Sequence, residues 1–256
     1  MADPVTVTER ASVVRADNPG IMTLEGTNTW ILREPGAARS VVVDPGPDDA
    51  AHLDGVLEAA GEVALVLYTH HHGDHTDAFA TVRERTGAPA RAVSADFCAD
   101  AEPLTDGELI EVDGLRLEVV LTPGHTRDSA CVRLVDEPSV LTGDTVLGRG
   151  TTVVAHPDGT LGPYLDSLAK LRQLVDEGSA ERLLPGHGPV VEQAGAVLDH
   201  YLEHRHERLD QVRAAVAVGR TTPRDVVEHV YADVDPVLWD AAELSVRAQL
   251  EYLQEA

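Results

Sequence analysis

Four histidines and a carboxylate fall within eight residues at Tyr68-Thr69-His70-His71-His72-Gly73-Asp74-His75, directly after an apolar run. Imidazole nitrogens and carboxylate oxygens are ligands for zinc and related divalent cations. On an extended backbone, residues i and i+2 point the same way, so His70 and His72 can aim at one cation. Gly73 permits a sharp turn, after which Asp74 and His75 open a helix and face a second position. Two further histidines end apolar runs in Pro-Gly-His turns, at Pro123-Gly124-His125 and Pro185-Gly186-His187. Asp144 closes Leu141-Thr142-Gly143-Asp144 in the same manner, and Asp44 closes an earlier run before Pro45-Gly46. One histidine alone ordinarily sits on the surface or hydrogen-bonded in a core. This many donors at the ends of apolar runs describe a two-cation centre. Such a pair lowers the pKa of water from about 15.7 to about 7 and, roughly 3.5–4 Å apart, stabilises an oxyanion as it forms. The chemistry would be hydrolysis.

Strand ends gather along one edge of a sheet, where α/β proteins place their sites. Short β-branched runs predict strands over 5–14, 29–33, 40–43, 63–69, 90–94, 108–112, 115–121, 129–135 and 140–141, with Asp113-Gly114 as a two-residue hairpin turn. Helical spacing predicts helices over 50–60, 76–86 and 164–177. After Pro189 only helices are expected: 190–218, ending at Gly219, then about 224–232 and 236–254. Thr222-Pro223-Arg224-Asp225 reads as a cap, a first-turn proline and a capping acid. No internal repeat or low-complexity linker interrupts the chain. The expected architecture is α/β with a small helical tail.

The chain has 256 residues and a formal net charge of −24. No run approaches the roughly 18 apolar residues that span a bilayer, so no membrane partner is expected. The first twenty residues alternate apolar and charged positions, unlike a secretory leader, which points to the cytoplasm. Cys98 and Cys131 lie in mostly apolar stretches and read as buried, inert thiols. So acidic a surface repels nucleic acid at long range, and the tail has more acids than arginines, which excludes DNA as a partner. His71 holds the non-ligand position of its motif and is expected to pack or hydrogen-bond. His52, His156 and His229 read as surface residues, and His200, His204 and His206 as a solvated helix face.

The His-x-His-x-Asp-His run, taken with Asp44, His125, Asp144 and His187, resembles the five-motif signature of the metallo-β-lactamase superfamily over about residues 5–200. The resemblance implies an αββα four-layer sandwich with a dinuclear metal site at one edge. It puts His70, His72 and His125 on the first metal, and Asp74, His75 and His187 on the second, with Asp144 bridging. Asp44 would act from behind the ligands. Asn18-Pro19-Gly20, Gly26-Thr27-Asn28-Thr29, the Leu147–Thr152 stretch, and Tyr201 with His204-Arg205 resemble the β-lactamase-like-protein group, whose chains end in a winged-helix appendage. That likeness implies a hydrolase domain over 1–200 and an appendage over 201–256, and brings His204 and Arg205 forward as substrate contacts. Tyr164 is expected to pack on the buried face of its helix, with substrate contact the second reading. It also raises an endoribonuclease of single-stranded RNA. Two departures stand out: Asp77-Ala78 replaces a glycine pair, and the tail has no evident wing.

The mechanism these residues suggest is attack by a bridging hydroxide, with Asp74 orienting the nucleophile or relaying its proton. Two cations, the Asp74 and Asp144 carboxylates and one hydroxide leave the centre at about +1, enough to hold an anion locally because charges beyond about 8 Å are screened. Nitrogen and oxygen donors without thiolate suit zinc, with iron or manganese also able to bind. The expected substrate is small or medium, with an ester-type bond: a thioester, lactone or phosphodiester. A true β-lactamase is not expected. RNA cleavage is the second reading, weakened by the charge. A metal-stabilised scaffold whose tail docks a protein is the third. Oligomeric state is not legible.

Overall fold

Strands buried on both faces read as continuous apolar runs, and this chain has several. The computed structural model describes residues 4–255. In the first half, β1 (Val5–Thr6), β2 (Ala11–Arg15), β3 (Asn28–Leu32), β4 (Arg39–Val43), β5 (Glu62–Leu67) and β6 (Ala90–Arg91) form one sheet in that order. Between these strands run α1 (Ala50–Ala60), α2 (Gly73–Thr76) and α3 (Phe79–Thr86). The second sheet holds β7 (Leu109–Val112), β8 (Leu115–Leu121), β9 (Ala130–Leu134), β10 (Ser139–Gly143) and, beyond α4 (Leu161–Asp176), β11 (Arg182–Pro185). Its order is β11-β10-β9-β8-β7. The tail is α5 (Ala194–Ala217), α6 (Pro223–Val230) and α7 (Trp239–Glu255).

Alternation sorts each strand between two cores. Val41, Val43, Leu65 and Leu67 of the first sheet meet Leu117, Val119, Val132 and Leu141 of the second. Val42 turns outward to Val56 and Ala60 of α1, and Val66 to the core containing Val82 of α3. On the far side Cys131 and Val140 face Leu168 and Leu171 of α4 and Leu198 of α5. Each valine or leucine among them contributes about 1.5–3 kcal/mol on burial. The layers are therefore helix, sheet, sheet, helix, and the αββα sandwich stands. The later half of α5 leaves that core and, through Val212 and Ala215, packs on Val226, Val227 and Val246. Among the described residues no strand follows β11.

Strand direction brings the ligand-bearing turns to one edge. The parallel neighbours β4 and β5 end side by side at Asp44 and at the triple-histidine run. The parallel pair β10 and β11 delivers Asp144 and His187. Because β9 is antiparallel to both β8 and β10, β8 runs with β10 and leads to His125 at the same edge. Backbone bonds join the sheets there, Ala130 N donating to Thr69 O at 2.8 Å and Asn28 N to Gly186 O at 2.8 Å, and the Asn28 and Trp30 side chains both donate to Pro185 O.

Several local expectations are corrected. The strand expected over 5–14 breaks because the Thr8 hydroxyl accepts from the Arg10 and Ala11 amides and turns the chain between β1 and β2. The helix expected over 76–86 is two, since the Thr76 hydroxyl bonds back to His71 and His72 carbonyls and closes the first turn. Strand β11 is not among the expected strands, being four residues with little alternation. His52 is buried, its Nε2 2.9 Å from Thr29 Oγ1, rather than on the surface. Cys131 is buried and its thiol is pushed up to about 11 by that burial, but Cys98 is only half-buried.

Candidate metal centre

Asp44 organises the centre from a strained position. Its φ of 50° is left-handed, a region aspartate tolerates better than most residues. Its backbone carbonyl accepts from Thr29 Oγ1 at 2.8 Å, and its carboxylate accepts from Thr69 N at 2.8 Å, Thr69 Oγ1 at 2.7 Å and His75 Nδ1 at 2.9 Å. Thr69 Oγ1, whose hydrogen points at Asp44, accepts from His70 Nδ1 at 3.0 Å. His125 Nδ1 donates to Val153 O at 2.8 Å and His187 Nδ1 to Gly26 O at 3.3 Å.

These outer bonds settle the tautomers. When neutral, His70, His75, His125 and His187 each hold their proton on Nδ1 and turn a bare Nε2 lone pair inward. The inward atoms crowd together: His72 Nδ1 is 3.0 Å from His70 Nε2 and 3.1 Å from His125 Nε2, and His75 Nε2 is 3.2 Å from His187 Nε2. Asp144 sits between the groups, Oδ1 3.5 Å from His75 Nε2 and Oδ2 3.4 Å from His187 Nε2 and 3.8 Å from His125 Nε2. Asp74 Oδ2 lies 3.0 Å from His187 Nε2. The buried Asp144 Oδ1 has no hydrogen-bond partner. Facing lone pairs and an orphaned carboxylate oxygen are what a cation would satisfy, so the donor set fits divalent metal. It divides into His70, His72, His125 and Asp144, and Asp74, His75 and His187.

The electrostatics differ between the two groups. Burial holds His70 well below its ordinary value, lowers His125, and lowers His72 to about 4. All three are neutral ligands at neutral pH. Burial also opposes charge on His75, but Asp144 and Asp44 outweigh it and hold that imidazole well above its ordinary value; Asp144 likewise carries His187 to about 9. Asp144 in turn lies well below the usual carboxylate range, because His75 and His187 overcome its burial. Without metal, the acids draw protons onto His75 and His187; a cation takes the place of that charge.

Gly186 leaves the space this convergence needs. A Cβ there would lie 2.7 Å from both Asp144 Oδ1 and His75 Cε1. His71 stands outside the cage, with Nδ1 2.7 Å from Asp128 Oδ1. Thr69, Asp128 and the carbonyls of Gly26 and Val153 are not singled out by the sequence. Only the adjacency of Thr69 to the histidine run, and the Asp three residues after His125, hint at them.

A cleft of about 350 Å³ opens beside His125 and Asp144, lined in part by His204 and Arg205 of α5 and by residues of the tail. Tyr164 does not line it: the ring is fully buried in the core that α4 helps to form, the packing role first expected of it, its hydroxyl donates to Thr145 O at 2.7 Å, and Arg205 stacks on the ring. Among the described residues no helix is long and apolar enough to cross a membrane.

Residues 22–187 match the metallo-beta-lactamase superfamily, and residues 222–256 match the beta-lactamase associated winged helix domain. A beta-lactamase-like protein 2 homolog of Caenorhabditis elegans is 32% identical over 229 residues, covering 84% of this chain and 74% of the relative. The Drosophila melanogaster homolog of the same name is 30% identical, covering 98% of this chain and 91% of the relative. A metallo-beta-lactamase family protein from Thermus thermophilus superposes with a TM-score of 0.81 at 22% identity, covering 98% of this chain and 95% of that one. Fold and clusters together are those of a metal-dependent hydrolase with a dinuclear centre. The chain belongs to the metallo-beta-lactamase superfamily, with a winged-helix-type domain at its C-terminal end.

Proposed function

We propose that the protein hydrolyses an ester-type bond (thioester, lactone or phosphodiester) with two zinc ions that His70, His72, His125, Asp144, Asp74, His75 and His187 would hold. The observation that carries this reading is the set of inward lone pairs beside the orphaned Asp144 Oδ1. Two such ions supply an activated water and charge stabilisation for the developing oxyanion. In the net reaction the water oxygen joins the carbonyl carbon or phosphorus, the bond to alcohol or thiol breaks, and a proton ends on the leaving group.

The chain's own residues divide the remaining work. Asp74 reaches solvent with 29% of its side chain while Oδ2 lies among the ligand atoms, 3.0 Å from His187 Nε2, so its other oxygen can hold the proton of the attacking water. Asp44 keeps His75 and, through Thr69, His70 in their ligand tautomers. His204 and Arg205 orient substrate in the cleft. The domain division is read as a hydrolase unit over 1–200 and a helical appendage over 201–256 that walls the cleft. Two free cysteines suit a reducing compartment such as the cytoplasm. RNA cleavage is less favoured, since a long polyanion must cross an acidic surface.

The test is turnover of a thioester, a lactone, bis-p-nitrophenyl phosphate and a labelled single-stranded RNA by the zinc-loaded protein, each with an Asp144→Ala control. Cleavage of one of the first three, lost in the control, is expected. RNA cleavage that survives moderate salt overturns the choice of substrate. Silence on all four at full metal occupancy overturns the ester-type reading in favour of the metal-stabilised scaffold.

A further inference from the structure

Arg205 is a buried cation without an acid. Only 4% of the residue is exposed, its guanidinium lies 5.0 Å from the Tyr164 ring centroid and donates to Thr152 O, and its Nε has no partner. One helical turn on, Arg208 stacks 4.6 Å from the Tyr231 ring centroid and donates to Gln211 Oε1 at 2.9 Å and Val230 O at 3.1 Å. Among the described residues neither is paired with a carboxylate. Yet the chain carries −24 overall, and most of its other arginines are paired, as Arg149 is with Glu25 at 2.5 Å. Burying an unpaired guanidinium costs several kcal/mol, so this arrangement suits a site whose counter-ion arrives with the ligand.

Both arginines line the cleft that touches His125 and Asp144, together with His204, whose buried Nδ1 has no partner. Burial, then Arg205 and Arg208, lower His204 to about 4, a sign of local positive potential. Much of the rest of the wall is apolar, including Leu24 and, from the tail, Leu238 and Ala242, with Arg149, Thr151, Thr152 and Ser245 between. At the mouth Ile21 and Met22 are 56% and 51% exposed, apolar surface that a ligand would cover.

We propose that the cleft takes an amphipathic anion: a carboxylate or phosphate paired with Arg205 and Arg208, an apolar body against Ile21, Met22, Leu24 and Leu238, and the scissile bond beside Asp144. The substrate class rests on the hydrolytic reading above. RNA fits less well, because single-strand tracks combine a basic groove with a series of aromatic platforms, whereas among the lining residues Tyr231 is, histidines aside, the one aromatic and Arg208 already stacks on it.

The test is calorimetric titration of the zinc-loaded full chain with octyl phosphate, octanoate, 1-octanol and inorganic phosphate. One octyl anion should bind at least ten-fold more tightly than octanol and than inorganic phosphate, and the two anion arms decide between phosphate and carboxylate. Arg208→Met and Arg205→Met should each weaken it ten-fold or more, with Arg205→Lys recovering part. Leu238→Ser should weaken the octyl anion and leave inorganic phosphate unchanged. Arg208 is half-buried and Arg205→Lys keeps the charge, so a folding failure of Arg205→Met leaves the test intact. Equal affinity for octyl phosphate and inorganic phosphate, indifference to Arg208→Met and Arg205→Lys, or tighter binding of a labelled oligoribonucleotide would overturn the proposal. Arginine-dependent binding without turnover of any ester would remove only the hydrolytic reading; turnover without such binding would remove only this one.

Discussion

His75 Nδ1 donates to Asp44 Oδ2 across 2.9 Å, joining two side chains 31 positions apart, both shut off from solvent. Through this bond the turn after β4 sets which nitrogen His75 turns inward. Asp44→Asn should keep the left-handed backbone, which asparagine also tolerates, while its amide faces donors in place of a carboxylate. Metal affinity is expected to fall about 10–100-fold with the fold retained, checked by elemental analysis alongside circular dichroism. Wild-type zinc affinity in this variant would show that Asp44 does not orient the ligand.

His72 and Asp144 carry the first cluster together. His72→Ala and Asp144→Ala should each lose metal and turnover in step. The wild-type protein, treated with a chelator, should lose both and regain them on adding zinc. Saturation at about 100 times Kd should raise stability by about 2.7 kcal/mol, read as a shift in Tm. Full turnover by either variant in excess chelator is the contrary result.

Metal-free stability should pass through a maximum near pH 6.5. His72 titrates near 4 when folded, against 6.5 ordinarily, so between those values the unfolded chain binds more protons and acidification destabilises. His187 titrates near 9, so its contribution is complete below 6.5 and is lost as pH rises through about 9. The urea midpoint of the stripped protein, followed from pH 4 to 10, checks both limbs. Loading with zinc should abolish the alkaline decline, because the cation replaces the proton on His187.

Gly186→Ala forces a Cβ to within 2.7 Å of Asp144 Oδ1 and His75 Cε1. Overpacking of this kind costs about 1–3 kcal/mol, and here it displaces two proposed ligands. Metal occupancy and turnover should fall by more than the loss of Tm alone explains. A variant with unchanged metal content would show that the centre has room to spare.

Tyr201→Phe removes the hydroxyl that accepts from Leu147 N at 2.9 Å. That hydroxyl ties α5 to the loop after Asp144. Leaving the amide without a partner should cost about 1–3 kcal/mol, measured by urea unfolding. Because the loop borders the cleft, KM should rise more than kcat falls.

Much of the centre is legible in the chain itself. Histidine and aspartate types at strand ends, with glycine beside three of them, name the donors, because metal ligation depends on residue chemistry and on short-range turns. Runs such as Ser40-Val41-Val42-Val43 name buried strands for the same local reason. The tertiary structure alone decides the rest. Thr69 acquires its role only when β4 and β5 pair and bring Asp44 beside it, and the Val153 carbonyl orients His125 across 28 positions. A resemblance marks Arg205, but its residue type and helical position say nothing of its burial without an acid, which arises only when α5 packs on α4. Long-range pairing and desolvation are properties of packed elements, and no short stretch of residues contains them.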